Sequence, residues 1–191
     1  MSAAIWGNYV RYGDDDVLAF AWLFLGGLHV TAYYHATQAM EKYLKALALS
    51  IIDPVGATHP IPLHSRWLKD HNLPRLAERC KHQFPYYGES GVRAALERFT
   101  EFDQVARYPW VEQTHGNGFT SADVPLIREL LIHMRTDIPI TTDDYPLGMF
   151  LRGHHHHHPE HTVNPNLAAF QAPAIAAVRR VIPNADEMVR R

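Results

Sequence analysis

The sequence has little cysteine and little net charge, and each shortage excludes a class of protein. Cys80 is the single cysteine among 191 residues, so neither an internal disulfide nor a cysteine-rich metal cluster can form. A reducing, cytoplasmic environment fits this composition. The formal net charge is −2, so the chain as a whole does not attract nucleic acid, and such binding needs a local basic surface.

The sequence also lacks an apolar run long enough to cross a membrane. Its most apolar stretch, residues 17–28, covers about a dozen residues, whereas a spanning helix needs about 20. Asp14, Asp15 and Asp16 precede this stretch, and a signal peptide begins with basic residues instead. We therefore expect a buried core helix at this position and no contact with a membrane.

Strand patterns are scarce, and helical spacing dominates instead. The chain contains no alternating run of β-branched residues and no hairpin turn between such runs. Its apolar residues recur at helical spacing between segments rich in proline and glycine. This pattern of apolar residues predicts an all-α fold, with an up-and-down bundle of four to five helices over residues 1–138. Residues 139–191 are predicted to form a loosely structured tail, rich in histidine and proline, with a short helix near its end. The main predicted helices cover about 14–26 (with Asp14 to Asp16 at its start), 29–52, 65–71, 89–106 and 122–135, and a further short helical piece covers 74–81.

Three short motifs follow one another along the predicted bundle. The long helix over 29–52 carries Gln38-Ala39-x-Glu41-Lys42-x-Leu44-Lys45-Ala46. Next come His59, His64 and Leu68, and a later helix ends in Ala106-Arg107-Tyr108-Pro109. In this order and spacing the motifs resemble the HEPN family, whose members share an A-x-x-x-A-x-Q-A-x-E-K-x-L-K-A helix, an H-x-L element and an R-Y-P turn. The resemblance covers roughly residues 14–137.

The resemblance implies a helical bundle that forms a homodimer and binds a nucleotide or RNA without a cofactor. Many members of the family pair with a minimal nucleotidyltransferase, and some are endoribonuclease toxins of toxin–antitoxin pairs. The alternatives are a metal-independent endoribonuclease and a purely structural helical protein. By the resemblance, the candidate nucleotide- or RNA-binding residues are Gln38, Glu41, Lys42, Lys45, Arg107 and Tyr108.

The same residues also allow a plainer interpretation. Gln38, Glu41 and Lys45 are three to four positions apart and share one side of the helix. That side is either a solvated face or a polar contact between helices. Alternatively, Lys42, Lys45 and Arg107 form a cationic surface for a phosphate, which arginine matches through its planar fork. Arg107 equally fits a structural role at a helix end.

Metal-independent RNA cleavage needs a base for the 2′-hydroxyl and a cation for the charge that develops on the phosphate. HEPN ribonucleases supply both as an arginine and a histidine with four to six residues between them. The first candidate catalytic pair is therefore Arg128 and His133, and the second is Arg66 and His71. Each pair has four intervening residues, a spacing expected to bring both side chains over one surface of a helix.

The tail contains a histidine run, His154 to His158. Neutral imidazole is a good ligand for nickel, zinc and copper, so such a run binds these metals opportunistically. No set of ligands with a defined spacing accompanies the run. We therefore interpret it as a low-complexity segment and assign no metal-binding residues.

Overall fold

The computed structural model describes residues 5–52, 66–107, 120, 122–139, 173 and 175–189. All regular structure in these residues is helical, which confirms the predicted all-α class. The helices are numbered here in chain order. The α-helices are α1 (Ile5–Leu25), α2 (His29–Ile52), α3 (Leu73–Cys80), α4 (Ser90–Arg107), α5 (Asp123–Asp137) and α6 (residues 175–181), and 3-10 turns cover Arg66–Lys69, Pro85–Gly88 and Ala185–Val189.

The first helix begins at Ile5, well before the aspartates that were predicted to start it. Trp6, Val10 and Val17 are all buried, so the apolar stripe that holds α1 to the core begins before those aspartates. Asp14 lies in the middle of α1 and is fully buried. The prediction of a helix start at Asp14 is therefore wrong, because this carboxylate is stabilised by partners from other helices and not by a helix N-terminus.

α1 and α2 form an antiparallel hairpin. The glycines that were predicted to end α1 follow its last residue, and Gly27 has a φ of 77°, which glycine adopts without a steric cost. Within the hairpin, the Tyr43 ring occupies the space beside Gly13, where an added Cβ would lie 2.5 Å from Tyr43 Cε1. The absence of a side chain at Gly13 therefore lets the Tyr43 ring pack directly against the α1 backbone.

α2 is the central helix of the bundle. It packs against α1, α3, α4 and α5, and from Tyr43 to Ser50 all of its residues are buried. On α3, Asn72 caps the helix by accepting a hydrogen bond from Arg75 N at 2.9 Å. Pro74 occupies the first turn of that helix, where its missing N–H costs nothing. The predicted bundle of helices around one core is confirmed.

The last described residues pack onto the bundle. Val178, Val181 and Ile182 are buried in the same core as the earlier helices, and the Ala185–Val189 turn contacts α5. This stretch of the predicted tail is thus attached to the bundle through apolar contacts. The boundary at residue 138 stays a prediction, since most of residues 139–172 lies outside the described part of the chain.

Candidate functional site

The most enclosed group of candidate residues is centred on Glu41. Lys45 Nζ donates a hydrogen bond to Glu41 Oε1 at 2.7 Å, and the two side chains are only 4% and 8% exposed, respectively. The predicted i,i+4 pair is therefore present, but it is buried rather than solvated. A buried pair of this kind is costly to break, because the remaining charge has no water around it.

His71 completes this group from the segment that precedes α3. Its Nδ1 lies 2.9 Å from Glu41 Oε2, and its side chain is 54% exposed. Glu41 is the hydrogen-bond acceptor for Lys45, so we assign the hydrogen of the imidazole to Nδ1, from which it is donated to Glu41 Oε2. That tautomer leaves Nε2 with a lone pair. The arrangement presents a fixed imidazole that can accept a proton or a hydrogen bond.

A second carboxylate, Asp16 on α1, forms an ion pair with the other candidate lysine, Lys42. Asp16 Oδ2 accepts a hydrogen bond from Lys42 Nζ, and Asp16 Oδ1 lies 2.7 Å from His35 Nδ1. Lys42 and His35 are each about one-quarter exposed and Asp16 is less so. The three side chains form a polar seam between α1 and α2, in which the positive charge of Lys42 is matched by Asp16.

Gln38 is held by α4. Its Nε2 donates a hydrogen bond to Asp103 Oδ1 at 3.0 Å, and Asp103 is itself buried. Gln38, Lys42 and Lys45 therefore all bond to acidic side chains of the bundle. Of the two plain interpretations, a polar contact between helices describes Gln38 and Lys42 better than a solvated face does, whereas Lys45 bonds to Glu41 within α2.

The two remaining residues of the predicted binding surface are Arg107 and Tyr108. Arg107 is the last residue of α4, so the predicted helix end is confirmed to within one residue. Tyr108 lies outside the described residues, as do Pro109, His59 and His64. The proposal that Arg107 joins Lys42 and Lys45 in one surface stays a prediction.

The first candidate catalytic pair does not share a surface. Arg128 and His133 lie within one continuous helix, α5, where five positions correspond to a rotation of about 140°. Arg128 is half-buried, whereas the exposed ring of His133 stacks on Tyr86, with 4.1 Å between centroids and 18° between planes. The expectation that this spacing brings both side chains over one helix surface is therefore wrong for α5.

The two residues of the second candidate pair, Arg66 and His71, do not lie on one helix. Arg66 is exposed in the 3-10 turn Arg66–Lys69, and His71 lies beyond that turn. His71 is the one histidine of the two pairs that a carboxylate orients within the described residues. Helical spacing revealed Glu41 and Lys45, but the pairing of Glu41 with His71 spans 30 positions and left no signal in the local pattern.

Comparison with models of protein families, with curated proteins and with solved structures gave no match to this chain. In the described part of the chain, none of the helices combines the length and apolarity that a membrane crossing requires. The histidine run His154 to His158 lies outside the described residues.

Proposed function

We propose that the chain is a HEPN-like helical module that binds RNA or a nucleotide, with His71 as a contact residue. The motif on α2 supports the family resemblance, and the all-α bundle is compatible with it. As part of this proposal, the module forms a homodimer and pairs with a minimal nucleotidyltransferase, as the resemblance implies. The observation that carries the proposal is the imidazole of His71, which is held at Nδ1 by the buried Glu41 although its side chain is 54% exposed.

The same observation favours a second candidate function, a metal-independent endoribonuclease. An imidazole that is oriented by a carboxylate is suited to act as a general base near neutral pH. In that reaction His71 Nε2 accepts the proton of a ribose 2′-hydroxyl, and the 2′-oxygen forms a bond to phosphorus. The bond from phosphorus to the 5′-oxygen breaks, and that oxygen takes a proton from the solvent. The products are a 2′,3′-cyclic phosphate and a 5′-hydroxyl.

One experiment separates the two functions. A single-stranded RNA with a 3′ fluorophore is mixed with wild type, His71→Ala and His133→Ala, and anisotropy and denaturing gels report binding and cleavage. His29→Ala is the matched control, because His29 is also exposed and lies away from Glu41, against Phe24. We expect RNA affinity to fall about fivefold or more in His71→Ala, the effect of losing one base or phosphate contact, and to stay within about twofold in the control.

The outcomes distinguish the candidates clearly. Cleavage by wild type that falls by about 100-fold or more in His71→Ala, the scale of a general base, establishes the endoribonuclease. Cleavage that is lost in His133→Ala but not in His71→Ala would instead support Arg128 and His133, the first pair predicted from the sequence, as the catalytic residues. Equal affinity of wild type and His71→Ala for RNA and for nucleotides contradicts the role of His71, and no binding at all leaves the purely structural alternative.

A further inference from the structure

A groove beside α3 collects three arginines, Arg75, Arg79 and Arg93. It has a volume of about 510 Å³ and is lined by residues of α3, of α4 and of the segment before α3. A volume of this size suits a small ligand. The lining residues are Asp70, Pro74, Arg75, Glu78, Arg79 and Arg93.

The secondary structure explains why the arginines meet. Arg75 and Arg79 are four positions apart on α3, so they project from the same side of that helix. Arg93 lies in the first turns of α4, which packs against α3. Two helices thus bring three guanidinium groups to one groove, although the third is far from the others in sequence.

Arg79 is held in place by an aromatic ring. Its guanidinium carbon lies 4.9 Å from the centroid of the Trp67 ring, a cation–π contact. Trp67 is itself half-buried against the core. The Arg79 side chain therefore loses less freedom when it binds an anion than a fully mobile arginine would.

The charges of the groove favour an anion. Glu78 pairs with Lys81, which lowers the pKa of Glu78, and Asp70 lies 3.9 Å from Arg75. Neither Arg79 nor Arg93 forms an ion pair with a carboxylate of the described residues. The groove lining carries three guanidinium groups and two carboxylates, and Lys81 further offsets the charge of Glu78, so the net charge is positive and favours a phosphate group.

We infer that this groove binds a phosphate monoester, through Arg79 and Arg93 with support from Arg75. Guanidinium groups bind phosphate oxygens through paired, charge-assisted hydrogen bonds. The monoester group belongs either to a mononucleotide or to the phosphorylated end of an RNA chain. The inference goes beyond the role of His71, although Asp70 places the groove next to that residue in sequence.

The test uses probes that differ only in the terminal phosphate. AMP is compared with adenosine, and a 5′-phosphorylated tetranucleotide RNA with its 5′-hydroxyl form, by isothermal titration calorimetry at low salt. We expect at least one phosphorylated probe to bind at least tenfold more tightly than its matched partner. Preference for AMP identifies a mononucleotide site, and preference for the phosphorylated RNA identifies a site for RNA ends.

The variant is Arg79→Gln/Arg93→Gln, and its control is Arg11→Gln/Arg180→Gln. Both double substitutions remove two positive charges from exposed positions, so a general change in net charge affects them equally. We expect the groove variant to lose at least tenfold in affinity and the control to change less than threefold. The change in tryptophan fluorescence on binding should disappear in Trp67→Phe, because Arg79 contacts that ring.

Two results would overturn the inference: equal binding of the phosphorylated and unphosphorylated probes, or equal losses in the groove variant and the control. The inference and the proposed function fail separately. If the protein binds AMP through Arg79 and Arg93 but neither binds nor cleaves RNA, the phosphate site in the groove is supported and the proposed RNA-binding role is contradicted.

Discussion

Arg135 Nε on α5 donates a hydrogen bond to Asp14 Oδ1 on α1 at 2.9 Å, and the two residues are 121 positions apart in the sequence. Both side chains are almost completely buried, and the fully buried Tyr43 donates a second hydrogen bond to the same carboxylate oxygen at 2.7 Å. Burial and the charge of Asp14 both raise the pKa of Tyr43. This contact therefore joins α1, α2 and α5 inside the core.

Because Asp14 and Arg135 form a buried ion pair, removing one charge should lower the free energy of unfolding more than removing both. Asp14→Asn keeps an acceptor for Tyr43 but leaves the charge of Arg135 buried without this carboxylate, which costs about 3–5 kcal/mol. Asp14→Asn/Arg135→Met removes both charges and should be destabilised less than Asp14→Asn alone. Urea unfolding followed by circular dichroism measures both free energies. A double variant that is no more stable than Asp14→Asn alone would contradict this prediction.

Gly13 is predicted to be intolerant of a side chain. In Gly13→Ala the new Cβ meets the buried ring of Tyr43, which cannot move away without breaking its bond to Asp14, so we expect a loss of about 1–3 kcal/mol. Gly91→Ala is the matched control, because α4 leaves open space around Gly91. Alanine has the higher helix propensity, so the control should gain up to about 1 kcal/mol. Equal thermal stability of the two variants would contradict the close packing of α1 on α2.

Asp123 should make stability depend on pH. Burial opposes its ionisation, but bonds from Arg98 at 2.8 and 2.9 Å and from Thr120 N at 2.7 Å outweigh burial and lower its pKa below the usual value of 3.8. Because the folded pKa is the lower one, the stabilisation is complete above the unfolded pKa and disappears as the pH falls through the folded pKa. Asp123→Asn should therefore be less stable than wild type at pH 7 and at pH 5. The difference should narrow below about pH 4, and a difference that is constant down to pH 2.5 would rule out this linkage.

Cys80 should be unreactive in the folded protein. Its thiol is buried, and burial raises its pKa from 9.0 to about 12, so the thiolate fraction at pH 8 is lower by roughly a thousandfold than for a free thiol. We expect reaction with a thiol reagent such as 5,5′-dithiobis(2-nitrobenzoate) to be negligible in buffer and complete within minutes in 6 M guanidinium. Rapid labelling in buffer would show that α3 opens readily from α2.

The sequence alone determined the helices that are set by local signals. The bounds of α2 match the prediction because glycines precede it and a proline follows it, and α3 matches to within one residue because Asn72 and Pro74 mark its start. The start of α1 was misplaced because aspartates favour helix N-termini in general. Nothing local distinguishes a capping aspartate from one that pairs with an arginine 121 positions away.

In the candidate site, too, some features follow from the sequence and others only from the tertiary structure. Spacing along α2 determined that Gln38, Glu41 and Lys45 share one side, since helical geometry is local. Only the tertiary structure decided that this side is enclosed, that Asp16 and Asp103 bond to Lys42 and Gln38, and that Glu41 orients His71. It also decided that Arg93 joins the arginines of α3. These outcomes depend on how separate helices pack, and packing is determined by contacts between residues that are distant in the chain.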